Sequence, residues 1–334
     1  MSARLRVLLV GAGAVGQVFG KFLKAAGCEL SFLVKEPHVA STRAGFTLQE
    51  LSRFSHALPV SLSGFGVLVS PQEVANQAWD QVWLCVSSAA LHEGTWVSEL
   101  ARVTGEATWV MLQPGLKDRD WLSQWVPASR LVCGMIPFVS FQTPLKPGDP
   151  SGQGMAFWFP PMARGLFSGP PERLQKVIRT LRQGGYPAHE DPDVVRATAV
   201  PTALLNVFVS GLETAGWSFA RFQEGPSAKA VREAAREAVQ IVEGKPGKGT
   251  PGLLRPLPLK LLLLGTRLAP FDVETYVQFH FTKVSTQTRQ MMGEYIALGK
   301  SMGLPVQHLE ALQAAVKEAV KEAVNAPGGP ATPR

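Results

Sequence analysis

The sequence predicts an α/β domain built on a mostly parallel sheet, followed by an all-α domain, and three observations carry that expectation. A short apolar run at Arg6–Val10 ends directly in glycines spaced G-x-G-x-x-G, which lead into a helical pattern. Apolar, β-rich runs then alternate with helical stretches, the pattern that parallel sheets with crossover helices produce. From Asp193 onward the periodicity is almost entirely helical. At 334 residues, with 46% hydrophobic and 18% charged residues, the chain is long enough for two cores and is not disordered in composition.

The elements follow in order. Arg6–Val10 reads as a buried first strand, Gln17–Ala26 as the helix after the glycines, and Leu30–Val34 as a second strand. Trp79–Val86 and Ala107–Leu112 read as further buried strands, and Leu131–Phe141 and Met155–Pro160 are expected to complete the same sheet. After Gly184-Gly185 the texture changes, and Glu190-Asp191-Pro192-Asp193 resembles a helix start, with an acidic first turn and a proline near it. Helices are expected over 194–220, 227–242, 273–302 and 306–324. The domains are therefore placed at 1–190 and 191–325, with a disordered tail over 326–334 and a mobile Gly/Pro/Lys-rich loop from Glu243 to Pro258.

The net charge of +7 raises the question of nucleic acid, but Lys and Arg are dispersed, without a basic run or an aromatic-interleaved RNA motif. A modest basic bias suits an anionic cofactor and a small anionic substrate. Cys28, Cys85 and Cys133 lack metal-ligand spacing and fit reduced thiols. Arg4 and Arg6 precede an apolar stretch as in a signal peptide, yet that stretch runs straight into the glycine motif. Arg255, Pro256, Pro258, Lys260 and Arg267 interrupt the other apolar segment, Leu253–Phe271, so no membrane span is expected. The expectation is a soluble cytoplasmic chain whose helical half serves substrate binding and homodimer formation.

Gly11, Gly13 and Gly16 sit where a dinucleotide-binding turn needs them. The first permits the tight turn, the second lets backbone approach a pyrophosphate, and the third lets helix and strand pack closely. With Ala14 and Val15 they place helix N-terminal N–H groups toward phosphate. The context of strand, motif and helix raises this above a bare motif match and predicts a Rossmann-type domain. At the end of the second strand an NAD-selective site usually carries Asp or Glu, whereas this chain reads Val34-Lys35-Glu36. Lys35 is placed to pair with a 2′-phosphate, with Arg43 nearby, so NADP is the expected cofactor. Glu36 complicates that reading, and a plain solvated lysine is the alternative.

The segments LLVGAGAVGQVFG, FLVKEPHVASTRAGFTLQ, CVSSAAL and MLQPGL resemble ketopantoate reductase (2-dehydropantoate 2-reductase) in order and spacing. The resemblance is strong over the first 116 residues and weaker afterwards, where MGEYIALGKSMGLPV resembles the family's C-terminal helical pattern. It implies NADPH-dependent reduction of a 2-oxo acid, with a lysine at the start of the interdomain helix as proton donor and with asparagines and a carboxylate assisting. Carried over by position, the family's lysine after the fourth strand falls at Ser87, and its LQNG falls on Gln113-Pro114-Gly115, so the resemblance implies Ser87 and Gln113 among the cofactor-binding residues. The catalytic lysine falls at Ala197 or Thr198. One substrate-side asparagine falls at Asn206, the nearer at Thr202, and the carboxylate at Gln287 or Glu294. The chain thus resembles a divergent member without the usual catalytic lysine, and ketopantoate is not the expected substrate.

Reducing a ketone builds alkoxide charge that an acid or cation must neutralise. His280, Lys283, Gln287 and Glu294 are expected near one face of a helix over 273–302, giving an acid candidate in Lys283 or His280 and an amide in Gln287. The same spacing fits a solvated or interface face. Arg196 is a further cation beside the lost lysine. Glu213, His189 and His92 show no constellation and are read as structural, and Trp217, Phe219, Phe222, Phe279 and Phe281 as core aromatics.

Overall fold

Val7, Leu8, Leu9 and Val10 are buried on both faces, as a strand covered on either side by helices must be, and the computed structural model places them in the middle of a sheet. The structure describes residues 4–53, 58–146, 152–245 and 252–325. The chain divides into two compact units, Met1–Thr198 and Ala199–Arg334. That division falls eight residues beyond the boundary near 190 expected from sequence. Val194 and Val195, the first turn of the helix expected to open the second domain, pack into the core of the first.

The first unit contains β1 (Arg6–Val10), α1 (Ala14–Ala25), β2 (Glu29–Leu33), α2 (Val39–Arg43), β3 (Phe46–Glu50), β4 (Val60–Leu62), β5 (Gly66–Leu68) and α3 (Pro71–Val74). It continues with β6 (Gln81–Leu84), α4 (Ser88–Leu91), α5 (Trp96–Val103), β7 (Thr108–Met111), α6 (Asp118–Leu122) and β8 (Leu131–Gly134). β9 (Val139–Thr143), β10 (Gly154–Trp158), β11 (Gly165–Ser168), α7 (Pro171–Gln183) and β12 (Ala188–Glu190) follow. The main sheet runs β12-β11-β8-β7-β6-β1-β2-β5. Strands from β5 through β8 are parallel, and β11 joins β8 antiparallel. The chain leaves β1 toward β2 and β5 and returns on its other side to β6, so the strand order reverses there. In such sheets the crevice at the carboxyl ends of the strands binds the ligand.

The sheet differs from expectation in one respect. Leu131–Phe141 is not one strand, and β9 and β10 do not join the main sheet. They form a second sheet, β4-β3-β10-β9, with Met155 paired to Leu48 and Met155 to Gln142. Pro137 interrupts the run between β8 and β9 and lacks the N–H a ladder needs, which frees the chain to change sheets. Phe19, Phe22, Trp83, Phe138, Phe157, Phe159 and Tyr186 fill the space between α1 and the two sheets, with ring centroids 5.0 to 6.1 Å apart.

α8 (Val194–Thr214) begins in the first unit. The second holds its remainder with α9 (Phe219–Glu224), α10 (Ser227–Glu243), α11 (Pro256–Gly265), α12 (Val273–Lys283), α13 (Ser285–Ser301) and α14 (Gln307–Asn325). α8 ends six residues earlier than expected, where Gly216 and Trp217 take left-handed backbone angles. By length and composition it is apolar enough to span a membrane, contrary to expectation, because its apolar residues are interspersed with small and polar ones instead of forming a run. It buries Ala203, Val207, Val209 and Leu212 within the protein, as a core helix does. α10 packs Val231, Ala234, Ala235, Ala238 and Ile241 inward. Its buried Glu237 accepts the His308 and Leu309 N–H groups at 2.9 Å, neutralising the exposed donors at the start of α14.

The helix expected over 273–302 is broken. Val284 leaves helical geometry (φ −102°, ψ 19°), ending α12 at Lys283 and starting α13 at Ser285. The expected mobile loop extends too far, since Gly252–Leu254 forms a 3-10 turn and Pro256 opens α11. Its residues 246–251 and the expected disordered tail lie outside the described residues.

Candidate active site

The glycine turn after β1 is built as its sequence demands. Gly11 has φ +98° and donates its N–H to the Leu33 carbonyl at 2.9 Å, and an added Cβ would lie 3.0 Å from the Cys85 carbonyl. Gly16 is packed against Gly11 so closely that any Cβ would strike its carbonyl oxygen. Gly13 differs from both: φ is −72°, and a Cβ there would meet nothing within 4 Å. Backbone of ordinary conformation thus borders open space, where a pyrophosphate could approach. Gly13 N-caps α1 without a side chain, and no acid occupies the first turn, so the N–H groups of Ala14, Val15 and Gly16 remain for an anion. Sequence reading overlooked Gln17, whose Nε2 donates to the Ala12 carbonyl at 2.9 Å and braces the turn. Cys85 lies beneath it, and burial pushes its thiol above the usual range.

Lys35 leaves β2 exposed, as expected, but it is not a free cation. Its Nζ lies 3.2 Å from Glu93 Oε2, across from the segment that follows α4. Glu36 and Arg43 are both exposed nearby. Ser87 is exposed at the carboxyl end of β6, where its Oγ caps α4 by accepting the Ala90 N–H at 3.2 Å.

Gln113 is buried, and its amide is used inside the protein. Nε2 donates to the Leu84 carbonyl at 3.0 Å and the Val86 carbonyl at 2.6 Å, while Oε1 accepts the Leu112 N–H at 3.2 Å. It ties the exits of β6 and β7 together. Beside it lies a cluster that sequence reading missed. Asp118, 1% exposed, accepts the Ser88 hydroxyl at 2.7 Å and the Gly115 N–H at 2.7 Å, and pairs with His92 Nε2 at 2.8 Å. His92, read as structural and unpartnered, thus has a carboxylate partner, and its ring leans on Trp121 at 4.5 Å. A Cβ on Gly115 would lie 2.5 Å from Asp118 Oδ2, so this glycine is required by the carboxylate tucked against it. Asp118 couples the loop after β7 to the helix after β6, the strand whose exit borders the glycine turn.

At the start of α8, Ala197 is exposed and Thr198 donates its hydroxyl to the Val194 carbonyl at 2.7 Å. Neither supplies a proton-donating cation. Asp193 caps this turn through the Arg196 N–H at 3.2 Å and pairs with Arg119 at 3.7 Å. Arg119, overlooked in the sequence, therefore joins the exposed Arg196 as a cation near Ala197 and Thr198 at the start of α8.

The second unit holds the other candidates. Asn206 is buried and donates Nδ2 to the Thr288 carbonyl at 3.1 Å, while its buried Oδ1 has no donor among the described residues. His280 is half-buried, stacked on Tyr276 at 5.3 Å and edge-on to Phe281 at 4.9 Å. Burial, with Lys283 adding to it, pushes the imidazole down to about 4. His280 is therefore neutral near pH 7. Its stabilising contribution is present above pH 6.5, its ordinary value, and is lost as pH falls from there through about 4, because the unfolded state binds the proton first. Lys283 is exposed at the end of α12, and Gln287 lies in α13. His280 and Lys283 thus lie on α12, and Gln287 and Glu294 on α13, with the Val284 N–H still donating to the His280 carbonyl at 3.1 Å across the join. Glu213, also read as unpartnered, binds Arg289 at 3.0 Å, and burial still raises its carboxyl. Of the aromatics read as core, Phe222 is fully buried, but Phe279 is 48% exposed.

Residues 7–149 match the family model described as ketopantoate reductase PanE/ApbA. No curated protein matches the sequence. Solved structures share the fold over nearly the whole chain. A PanE/ApbA family ketopantoate reductase from Ralstonia eutropha JMP134 aligns at TM-score 0.68 with 17% identity, covering 95% of this chain and 99% of that one. The 2-dehydropantoate 2-reductase from Methylococcus capsulatus aligns at 0.66 with 17% identity, covering 98% and 100%. D-mandelate dehydrogenase with NADH and anilino(oxo)acetate aligns at 0.68 with 14% identity, covering 95% and 99%.

Proposed function

We propose, on the premise that residues 7–149 form a domain of the ketopantoate reductase PanE/ApbA family, that this chain is an NADP-dependent oxidoreductase. Its substrate in this reading is a 2-oxo acid or ketone other than ketopantoate. The observation that carries it is the open space beside Gly13, bordered by an uncapped helix N-terminus at the reversal of strand order. When bound there, NADPH supplies a hydride to the carbonyl carbon. Gly13, Ala14, Val15 and Gly16 hold the pyrophosphate through backbone N–H groups, and Lys35 pairs with the 2′-phosphate. Gln113 and Asp118 fix the loops after β6 and β7.

What the chain's residues must then do is place a proton on the carbonyl oxygen. Ala197 and Thr198 cannot, and the neutral His280 is poorly suited. Lys283 remains the favoured donor, through Nζ, with Gln287 and Asn206 as hydrogen-bonding amides and Arg119 and Arg196 as rival cations. The test is NADPH oxidation across a panel of 2-oxo acids and ketones, followed by Lys283→Ala, His280→Ala, Arg196→Ala and Arg119→Ala on the substrate found. Lys283→Ala is expected to lower kcat at least about tenfold with NADPH affinity unchanged, since a general acid contributes about 100- to 10,000-fold. Loss of activity only in an arginine variant would return the role to the start of α8. Ketopantoate itself is not expected to turn over at an ordinary enzyme rate, on the order of 10 per second. A protein that binds NADP without turnover is the second reading, favoured by the neutral His280 and the missing lysine together; inactivity across the panel would support it.

The Lys35–Glu93 pair makes the cofactor preference testable. A 2′-phosphate must draw Lys35 away from Glu93 and sit near a like charge. Lys35→Ala is expected to weaken NADPH binding about tenfold and leave NADH nearly unchanged. Glu93→Gln is expected to strengthen NADPH alone, by up to about fivefold, as befits an exposed pair. Calorimetry with both cofactors reads the outcome, and equal affinities of the native protein for NADH and NADPH would remove the NADP assignment.

A further inference from the structure

α11 buries part of its apolar surface and exposes the rest, with Leu262, 45% exposed, lying off the stripe that the other exposed leucines form. Leu259 and Leu263 are 3% and 6% exposed. Leu257, Leu261, Leu264 and Leu268 recur at spacings of four, three and four, which places them along one stripe of the helix and the turn that continues it. All four face solvent, at 67%, 58%, 53% and 66% exposure. A contiguous exposed leucine stripe of this kind marks an interaction surface.

The charges beside the stripe identify its partner. From Gly252 to Phe271 the chain carries Arg255, Lys260 and Arg267 and no acidic residue. All three cations are exposed. Lys260 lies on α11 next to Leu261, and Arg267 next to Leu268 in the 3-10 turn that follows, where long side chains can reach to a polar boundary. An isologous contact across the stripe would bring these cations toward their own copies, and the segment itself offers no acid to pair them. A bilayer rich in anionic headgroups satisfies both features at once, since leucines enter the acyl boundary while the cations meet phosphate. We propose that α11 is an interfacial helix that attaches this protein peripherally to anionic membranes. That departs from the sequence expectation of a chain without membrane contact, and it is independent of the cofactor reading.

The experiment is co-sedimentation of the full chain with phosphatidylcholine vesicles, with and without phosphatidylglycerol. Binding is expected to the mixed vesicles, at least about tenfold tighter than to phosphatidylcholine alone, and weakened by salt. Leu261→Glu with Leu264→Glu should abolish it while the melting temperature and NADPH affinity stay at their native values. Lys260→Glu with Arg267→Glu should weaken it at least about tenfold. Leu257→Ser with Leu268→Ser, milder changes at the ends of the stripe, should weaken it as well. The proposal is overturned if the native chain fails to sediment with mixed vesicles or if the leucine variants bind like it. It is equally overturned if light scattering shows a dimer that Leu261→Glu dissociates, which would assign the stripe to a second copy.

Discussion

Gly13→Val is expected to reduce NADPH affinity by at least about 100-fold, a cost near 2.7 kcal/mol, while the protein stays folded. The reasoning separates the three glycines. At Gly11 the positive φ, and at Gly16 the contact with the Gly11 carbonyl, make any side chain a folding defect. Gly13 has neither constraint, for its φ of −72° suits valine and the added atoms enter open space. That space is the one a pyrophosphate would need in order to reach the first N–H groups of α1. The measurement is an NADPH fluorescence titration beside a thermal melt. Gly16→Val serves as the contrast, with a lowered melting temperature whatever the cofactor does. Native affinity in a folded Gly13→Val protein would reduce the motif to a structural turn.

Asp118→Ala carries the largest expected effect on stability, a loss of about 3–5 kcal/mol, as for breaking a buried hydrogen-bonded charge. For a unit of this size that is a fall in melting temperature of roughly 10 °C. The change leaves the Ser88 hydroxyl, the Gly115 N–H and His92 without their common acceptor, inside the protein where water cannot replace it. Asp118→Asn keeps an acceptor oxygen and should cost less. His92→Ala should cost about 1 kcal/mol, because the ring is partly open to solvent. Chemical denaturation with melts of all three variants gives the ranking. A melting temperature for Asp118→Ala within about 2 °C of native would mean the cluster contributes little. NADPH titration of the folded fraction then reports whether the loops after β6 and β7 need this anchor to present the crevice.

The parts of this molecule legible in its sequence are those fixed by local constraint. Gly11 and Gly16 are required by backbone angle and by one contact a few residues away, so their spacing alone announced the turn. β1, β6 and β7 are buried on both faces and therefore read as unbroken apolar runs. The helical half declared itself through its period. Even in these segments the boundaries moved where a single residue decides, at Pro137 between two sheets and at Val284 between two helices.

What only the tertiary structure decided depends on residues far apart in the chain. Lys35 and Glu93 are 58 residues apart, and the partners of Asp118 come from 30, 26 and 3 residues away. Glu237 caps a helix that begins 70 residues later, and Met155 pairs with Leu48 across the second sheet. A charge or an apolar residue in a sequence carries no address for its partner, because Coulomb attraction and burial act on whatever the folded chain brings near. For this reason the cofactor turn was evident from the residues themselves. The ion pair that opposes Lys35, the carboxylate that fixes the neighbouring loops, and the leucine stripe of α11 left in solvent emerged only with the packing.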